Sequence, residues 1–168
     1  MAQGEFVATL RSPESKSEFS LHVDGYQLLK PVGEDFDDNW LILKMAVETP
    51  ERRWNGQGSY LLTFELNHFI DRLKAWAKDA DVEEVLTFTA ADLAFGKGAS
   101  GADLIHLRVG FDLDCNPDPQ RRVGVPLWVP FQVTPAELLE FAGELEKESA
   151  AYPERHLTGT KKLFKKKL

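Results

Sequence analysis

The sequence predicts an α+β fold, with a largely antiparallel sheet and two main helices at about residues 63–78 and 134–149. Three patterns predict it. Residues 105–113 and 123–131 alternate apolar side chains with polar ones or prolines, the period of a strand with one buried face. Leu66, Phe69, Ile70, Leu73, Trp76 and Ala77 recur at helical spacing. Thr134-Pro135-Ala136-Glu137 combines a capping box with proline at the first helical position. Two or three strands, a helix, about four more strands and a closing helix require no parallel crossovers, so largely antiparallel pairing is expected.

The elements can be justified in order. Residues 5–10 read as a first strand, and Arg11-Ser12-Pro13-Glu14-Ser15 as the turn after it. Phe19, Leu21 and Val23 alternate with Ser20, His22 and Asp24, which puts His22 toward solvent. Residues 40–47 are apolar on both parities apart from Lys44, as in a central strand covered on both faces. Turns are read at Thr49-Pro50-Glu51 and at Asn55-Gly56-Gln57-Gly58-Ser59, with Trp54 between them. Thr63 then caps the first helix, and Glu65 lies in its first turn, where the helix dipole favours a negative charge. Further strands are read at 86–89, 93–95, 103–113 and 123–131. In the last, Pro126 and Pro130 share parity, so both missing N–H groups fall on one flank, that of an edge strand.

At 168 residues the chain suffices for a single domain, read as residues 1–153, followed by a mobile basic tail at 154–168. Net charge is −7; setting aside the five lysines of residues 161–168 leaves −12 on the rest. A field of that sign disfavours nucleic acid and anionic membrane as partners and attracts cationic ones. No secretory leader is read at the start and no apolar run is long enough to span a bilayer, so the expected compartment is the cytoplasm. The one cysteine, Cys115, cannot form an internal disulfide, which agrees with a reducing compartment.

No motif carries a cofactor or a catalytic group. Gly96-Lys97-Gly98-Ala99-Ser100-Gly101 spells G-x-G-x-x-G, but a strand follows it where a dinucleotide fold requires a helix, so it reads as a hairpin loop. Asp112, Asp114, Asn116 and Asp118 alternate like a calcium loop, yet Pro117 stands at the position that requires glycine and Val123 at that of the final glutamate. His22, His68, His106 and His156 lack metal-ligand spacing, and Cys115 beside Asp114 reads as inert.

The acidic turn Glu34-Asp35-Phe36-Asp37-Asp38 stands apart. Four carboxylates flank one apolar anchor just before the buried strand, so Glu34, Asp35, Phe36 and Asp38 are the candidate partner-binding residues. In this reading Asn39 and Trp40 are structural, while Glu34, Asp35 and Asp38 face solvent. The residues alone define an acidic binding domain, with a small metal-dependent hydrolase or a housekeeping interaction module as alternatives.

The run Asp37-Asp38-Asn39-Trp40-Leu41-Ile42-Leu43, the lone Trp54 downstream and the helix start Leu61-Leu62-Thr63-Phe64-Glu65-Leu66 add a resemblance. In residues 19–77, and more loosely to 149, the chain resembles the WapI-type immunity proteins of bacterial polymorphic-toxin systems. The resemblance implies a non-enzymatic partner that occupies a cognate toxin domain, often one acting on RNA, with no cofactor. A basic toxin domain, such as a nuclease, would suit the acidic body.

Overall fold

The computed structural model describes residues 8–78, 82–99, 101 and 103–155. Strands β1 (Ala8–Ser12), β2 (Ser17–Tyr26), β3 (Trp40–Glu48) and β4 (Arg53–Leu62) precede helix α1 (Thr63–Lys78). Strands β5 (Glu84–Thr87), β6 (Leu93–Lys97), β7 (Ile105–Phe111) and β8 (Leu127–Val133) then lead to α2 (Pro135–Ala150). The strands form two four-stranded antiparallel sheets, β1-β2-β3-β4 and β5-β6-β7-β8. With the two helices this is an α+β fold. Sequence neighbours pair throughout, so each sheet closes through local connections.

Period-2 alternation decides which faces meet. Phe19, Leu21 and Val23 of β2 and Leu41, Leu43, Met45 and Val47 of β3 are buried, as are Ile105, Leu107, Val109 and Phe111 of β7. The Phe19 ring lies 5.8 Å from both Phe95 and Phe111, and Trp54 lies 5.2 Å from Phe111, so the two sheets share one core. Each helix enters that core through an aromatic side chain: Phe69 of α1 at 4.2 Å from Phe95, and Phe141 of α2 at 6.4 Å from Phe19. The Phe69 stripe of α1 is therefore its inner face, with Leu66, Ile70, Leu73 and Trp76 buried beside it.

The capping box at α2 is present in full. Thr134 accepts from the Glu137 amide, and Glu137 accepts from the Thr134 amide. Strand β8 is the terminal strand of its sheet, with Pro130 opposite Arg108 in the pairing with β7. No strand pairs with its other flank, which instead meets the end of β1 and the turn after it: the Gln132 amide donates to the Ser12 hydroxyl at 2.9 Å, and the Ser15 hydroxyl donates to the Pro130 carbonyl at 3.1 Å. The strand begins at Leu127, however, and Val123 and Val125 are exposed in the preceding turns, so the alternation before Leu127 reports no buried face.

Several other expectations need correction. Asn55–Ser59 is not a turn; it lies within the ten-residue strand β4. Gly56 and Gly58 are there because of packing: a Cβ on Gly58 would fall 2.8 Å from the Tyr60 ring, and one on Gly56 would fall 3.0 Å from Met45. Strand β3 is fully covered on only one face, its Trp40, Ile42, Lys44 and Ala46 being half-buried. The strand read at 103–113 spans only Ile105–Phe111, because Leu113 adopts a φ of 47° at the start of a 3-10 turn. The first strand runs on to Ser12, and the turn occupies the residues after it. His22 does not face open solvent: it is half-buried and hydrogen-bonds Glu148 of α2.

The start of α1 is also built differently from the expectation. Thr63 does not cap the helix; its hydroxyl donates to Asn39 at 2.7 Å. Glu65 instead accepts from the Leu62 amide at 3.2 Å and from the Thr89 amide at 2.8 Å, joining α1 to the β5–β6 connection. Burial raises the Glu65 pKa, and the two amide bonds only partly oppose this. A folded-state pKa above the unfolded one means that the native state binds the extra proton. The stability linked to Glu65 is therefore fully present at low pH and is lost as pH rises through the folded pKa. Urea melts at pH 7 and pH 5 should show wild type gaining stability relative to Glu65→Gln at the lower pH. A difference that did not change with pH would contradict the raised value.

Candidate functional site

The connection between β2 and β3, residues 27–39, carries the acidic turn. It presents the most exposed large apolar side chain on the described surface, Leu29 at 89% exposure, together with Val32 at 62% and Phe36 at 39%. Glu34 and Asp37 are exposed beside them and Asp35 is half-buried. Gly33, Glu34, Asp35, Phe36 and Asp37 line a shallow depression of about 270 Å³. Phe36 packs edge-on against the buried Phe64 at 6.0 Å, but Leu29 and Val32 bury little, so most of what holds the loop's shape must be polar bonds at its base.

Those bonds are present. Asp38, expected to face solvent, is fully buried. Its carboxylate accepts from the Val32 amide at 2.7 Å and from the Gly33 amide at 2.9 Å, closing the loop on itself. Gly33 has a φ of 90°, a conformation that suits glycine and lets its amide turn inward. Asp38 is therefore a structural clamp. The solvent-facing carboxylates of this turn are Glu34 and Asp37.

Asn39 is the hub of the base. Its amide nitrogen donates to the carbonyls of Asp35 at 2.7 Å and Arg155 at 2.8 Å, while its oxygen accepts from the Thr63 hydroxyl at 2.7 Å and the Arg155 amide at 2.8 Å. Both donors and both acceptor positions of one buried side chain are thus used. They join the turn, the start of α1 and the segment beyond α2.

That last segment works as a strap. The Arg155 guanidinium lies 3.4 Å from the centre of the Tyr26 ring and donates to the Leu28 carbonyl at 2.8 Å, with longer contacts to the carbonyls of Leu29 and Asp38. Tyr26 in turn donates to the Pro153 carbonyl at 2.5 Å and packs edge-on against Tyr152. Leu29, Val32 and the strap residue Arg155 are absent from the sequence-level site. Two isolated apolar residues around Lys30-Pro31 have no periodicity to reveal them, and nothing local links Arg155 to a loop more than a hundred residues earlier.

The other sequence candidates resolve into structure. Asp112, Asn116 and Asp118 each accept from nearby backbone amides, and Asp112 also holds the Gly124 amide across the turn. Among the described residues no three His, Cys, Asp or Glu side chains converge as a metal set. Gly96 and Lys97 do not belong to the expected hairpin loop: Gly96 lies within β6, paired with Val85 and Arg108, and only Gly98 follows the strand, its amide donating to the His106 carbonyl. Cys115 is buried, and burial pushes its thiol up to about 12, far from a thiolate at neutral pH. No helix among the described residues is long and apolar enough to cross a membrane. The tail from His156 onward lies outside the described residues.

The fold defines the class as an α+β protein with two four-stranded antiparallel sheets and a polar-braced acidic loop between β2 and β3. The chain belongs to the WapI-like immunity protein family, whose model matches residues 9–153, from β1 to just beyond α2. No curated protein and no solved structure matches it. Membership in this family points to a toxin-neutralising immunity function.

Proposed function

We propose that the protein neutralises a cognate, basic toxin domain by docking the 27–39 loop against it. One observation carries this reading: Leu29 and Val32 stand in solvent, with Phe36 partly exposed where it packs edge-on against Phe64, among Glu34, Asp35 and Asp37 on a loop locked by Asp38, Asn39 and Arg155. A loop already held in its binding shape loses less entropy on association, and its apolar side chains can serve as anchors in pockets of the partner. The carboxylates around them would steer a cationic partner toward the loop. A nuclease domain has the matching charge, and the compartment in which such a toxin acts on the producing cell is the cytoplasm. A hydrolase reading has less support, because Asp112 and Asp38 are engaged with backbone amides.

The test is a charge reversal that spares the clamp. Glu34→Lys with Asp37→Lys should change stability by less than about 0.5 kcal/mol each, since both side chains are exposed. Association with a cognate toxin domain should slow by about tenfold at low salt, and the difference should shrink as salt screens the charges. An unchanged rate and full protection of toxin-expressing cells would remove the loop from the interface.

A further inference from the structure

We propose that the loop has an occupant within the same chain: the basic segment Lys161-Lys162-Leu163-Phe164-Lys165-Lys166-Lys167-Leu168. The first support is where this segment starts. Arg155 touches both ends of the loop, through Leu28 and Leu29 on one side and through Asp38 and Asn39 on the other, so the chain leaves the described structure at the loop's base. Five residues separate Arg155 from Lys161, a reach of up to ~20 Å in extended chain. A short tether of this kind holds a segment at millimolar effective concentration, enough to populate a contact too weak to form between separate molecules.

The second support is chemical complementarity. The segment carries five lysines and no acid, interleaved with Leu163, Phe164 and Leu168. The loop offers Glu34, Asp35 and Asp37 against one base, Lys30, interleaved with Leu29, Val32 and Phe36. The charge of Asp38 is turned inward to two amides, and that of Arg155 faces carbonyls and the Tyr26 ring, so neither reverses the balance at the surface. The segment thus offers the same combination of cationic and apolar groups that the loop is proposed to recognise in a toxin. The contact itself is independent of the toxin reading. Its consequence rests on that reading: the segment and the toxin would compete for the same loop.

A nitroxide on Leu168→Cys in the full-length chain tests the contact, because Cys115 is buried and inert. At low salt, amide signals of residues 29–37 should fall below about half of their intensity in the reduced, diamagnetic sample. They should recover when Lys161, Lys162, Lys165, Lys166 and Lys167 are all changed to Gln, and also in Glu34→Lys with Asp37→Lys. Broadening centred instead on the acidic outer side of α2, at Glu137, Glu140 and Glu144, or spread evenly over the surface, would overturn the proposal. No toxin enters this measurement. A toxin association rate insensitive to Glu34→Lys with Asp37→Lys, alongside a positive spin-label result, would defeat the docking reading and leave the intramolecular contact standing.

Discussion

Trp76→Ala is expected to lower stability by about 3–5 kcal/mol, the loss typical of removing a large aromatic side chain from a packed core. Trp76 is 1% exposed and lies on the buried stripe of α1, the largest of the fully buried side chains. Two effects add: the transfer free energy of the indole, and the cavity left where α1 meets the rest of the core. The indole N–H meets no hydrogen-bond acceptor among the described residues, so the side chain contributes by volume and apolar area alone. That sharpens the experiment. Trp76→Phe should cost less than half as much as Trp76→Ala in urea melts, because it keeps an aromatic ring and removes a buried donor that has no acceptor. A loss below 1 kcal/mol for Trp76→Ala would contradict the burial of the stripe.

The elements that could be read from the sequence were those whose signals are local and redundant. The α2 start combines a capping box with proline, and β7 has four inward apolar residues in strict alternation, so each pattern admits one reading. Strand β4 was hidden because its inward positions at 56 and 58 are glycines, which by themselves read as a turn. Only the Tyr60 ring and Met45, which occupy the space a side chain would need, make those glycines strand residues. Val123 and Val125 show the opposite failure, an alternation with no sheet behind it.

The candidate site was half legible for a related reason. An acidic cluster around Phe36 is visible in one dimension, and Glu34, Asp35 and Phe36 do lie together on the loop surface or at its edge. Which carboxylate turns inward depends on where the backbone amides point, and a residue count does not give that. Asp38 meets the amides of residues five and six positions earlier only because Gly33 takes up positive φ. The partners of Asn39 are more distant still. Thr63 and Arg155 lie 24 and 116 residues away, so its structural role could be anticipated while the strap it holds could not.

Asn39→Asp should therefore be among the most damaging substitutions of a single polar atom, with an expected loss of about 3–5 kcal/mol at neutral pH. The shape is retained. The oxygen that accepts from Thr63 and Arg155 keeps its bonds, but the nitrogen that donates to the carbonyls of Asp35 and Arg155 becomes an oxygen facing two oxygens. Asn39 is fully buried, so the new charge is desolvated as well, which would raise the pKa of the new carboxyl well above the unfolded value of about 3.9. The sign of the pH dependence follows. The native state of the variant binds a proton more tightly than its unfolded state, so its deficit relative to wild type is largest above that raised pKa and shrinks as pH falls toward about 4. Protonation also restores one donor, able to reach one of the two carbonyls. Urea melts of both proteins from pH 8 to pH 4 would test this, and a small, pH-independent deficit would mean that the four bonds of Asn39 do not hold the loop. Because the same bonds fix the strap and the start of α1, hydrogen exchange at the Val32 and Gly33 amides should accelerate in the variant. Charge reversal at Glu34 and Asp37 should leave that exchange unchanged, which separates the residues that shape the loop from those proposed to meet the toxin.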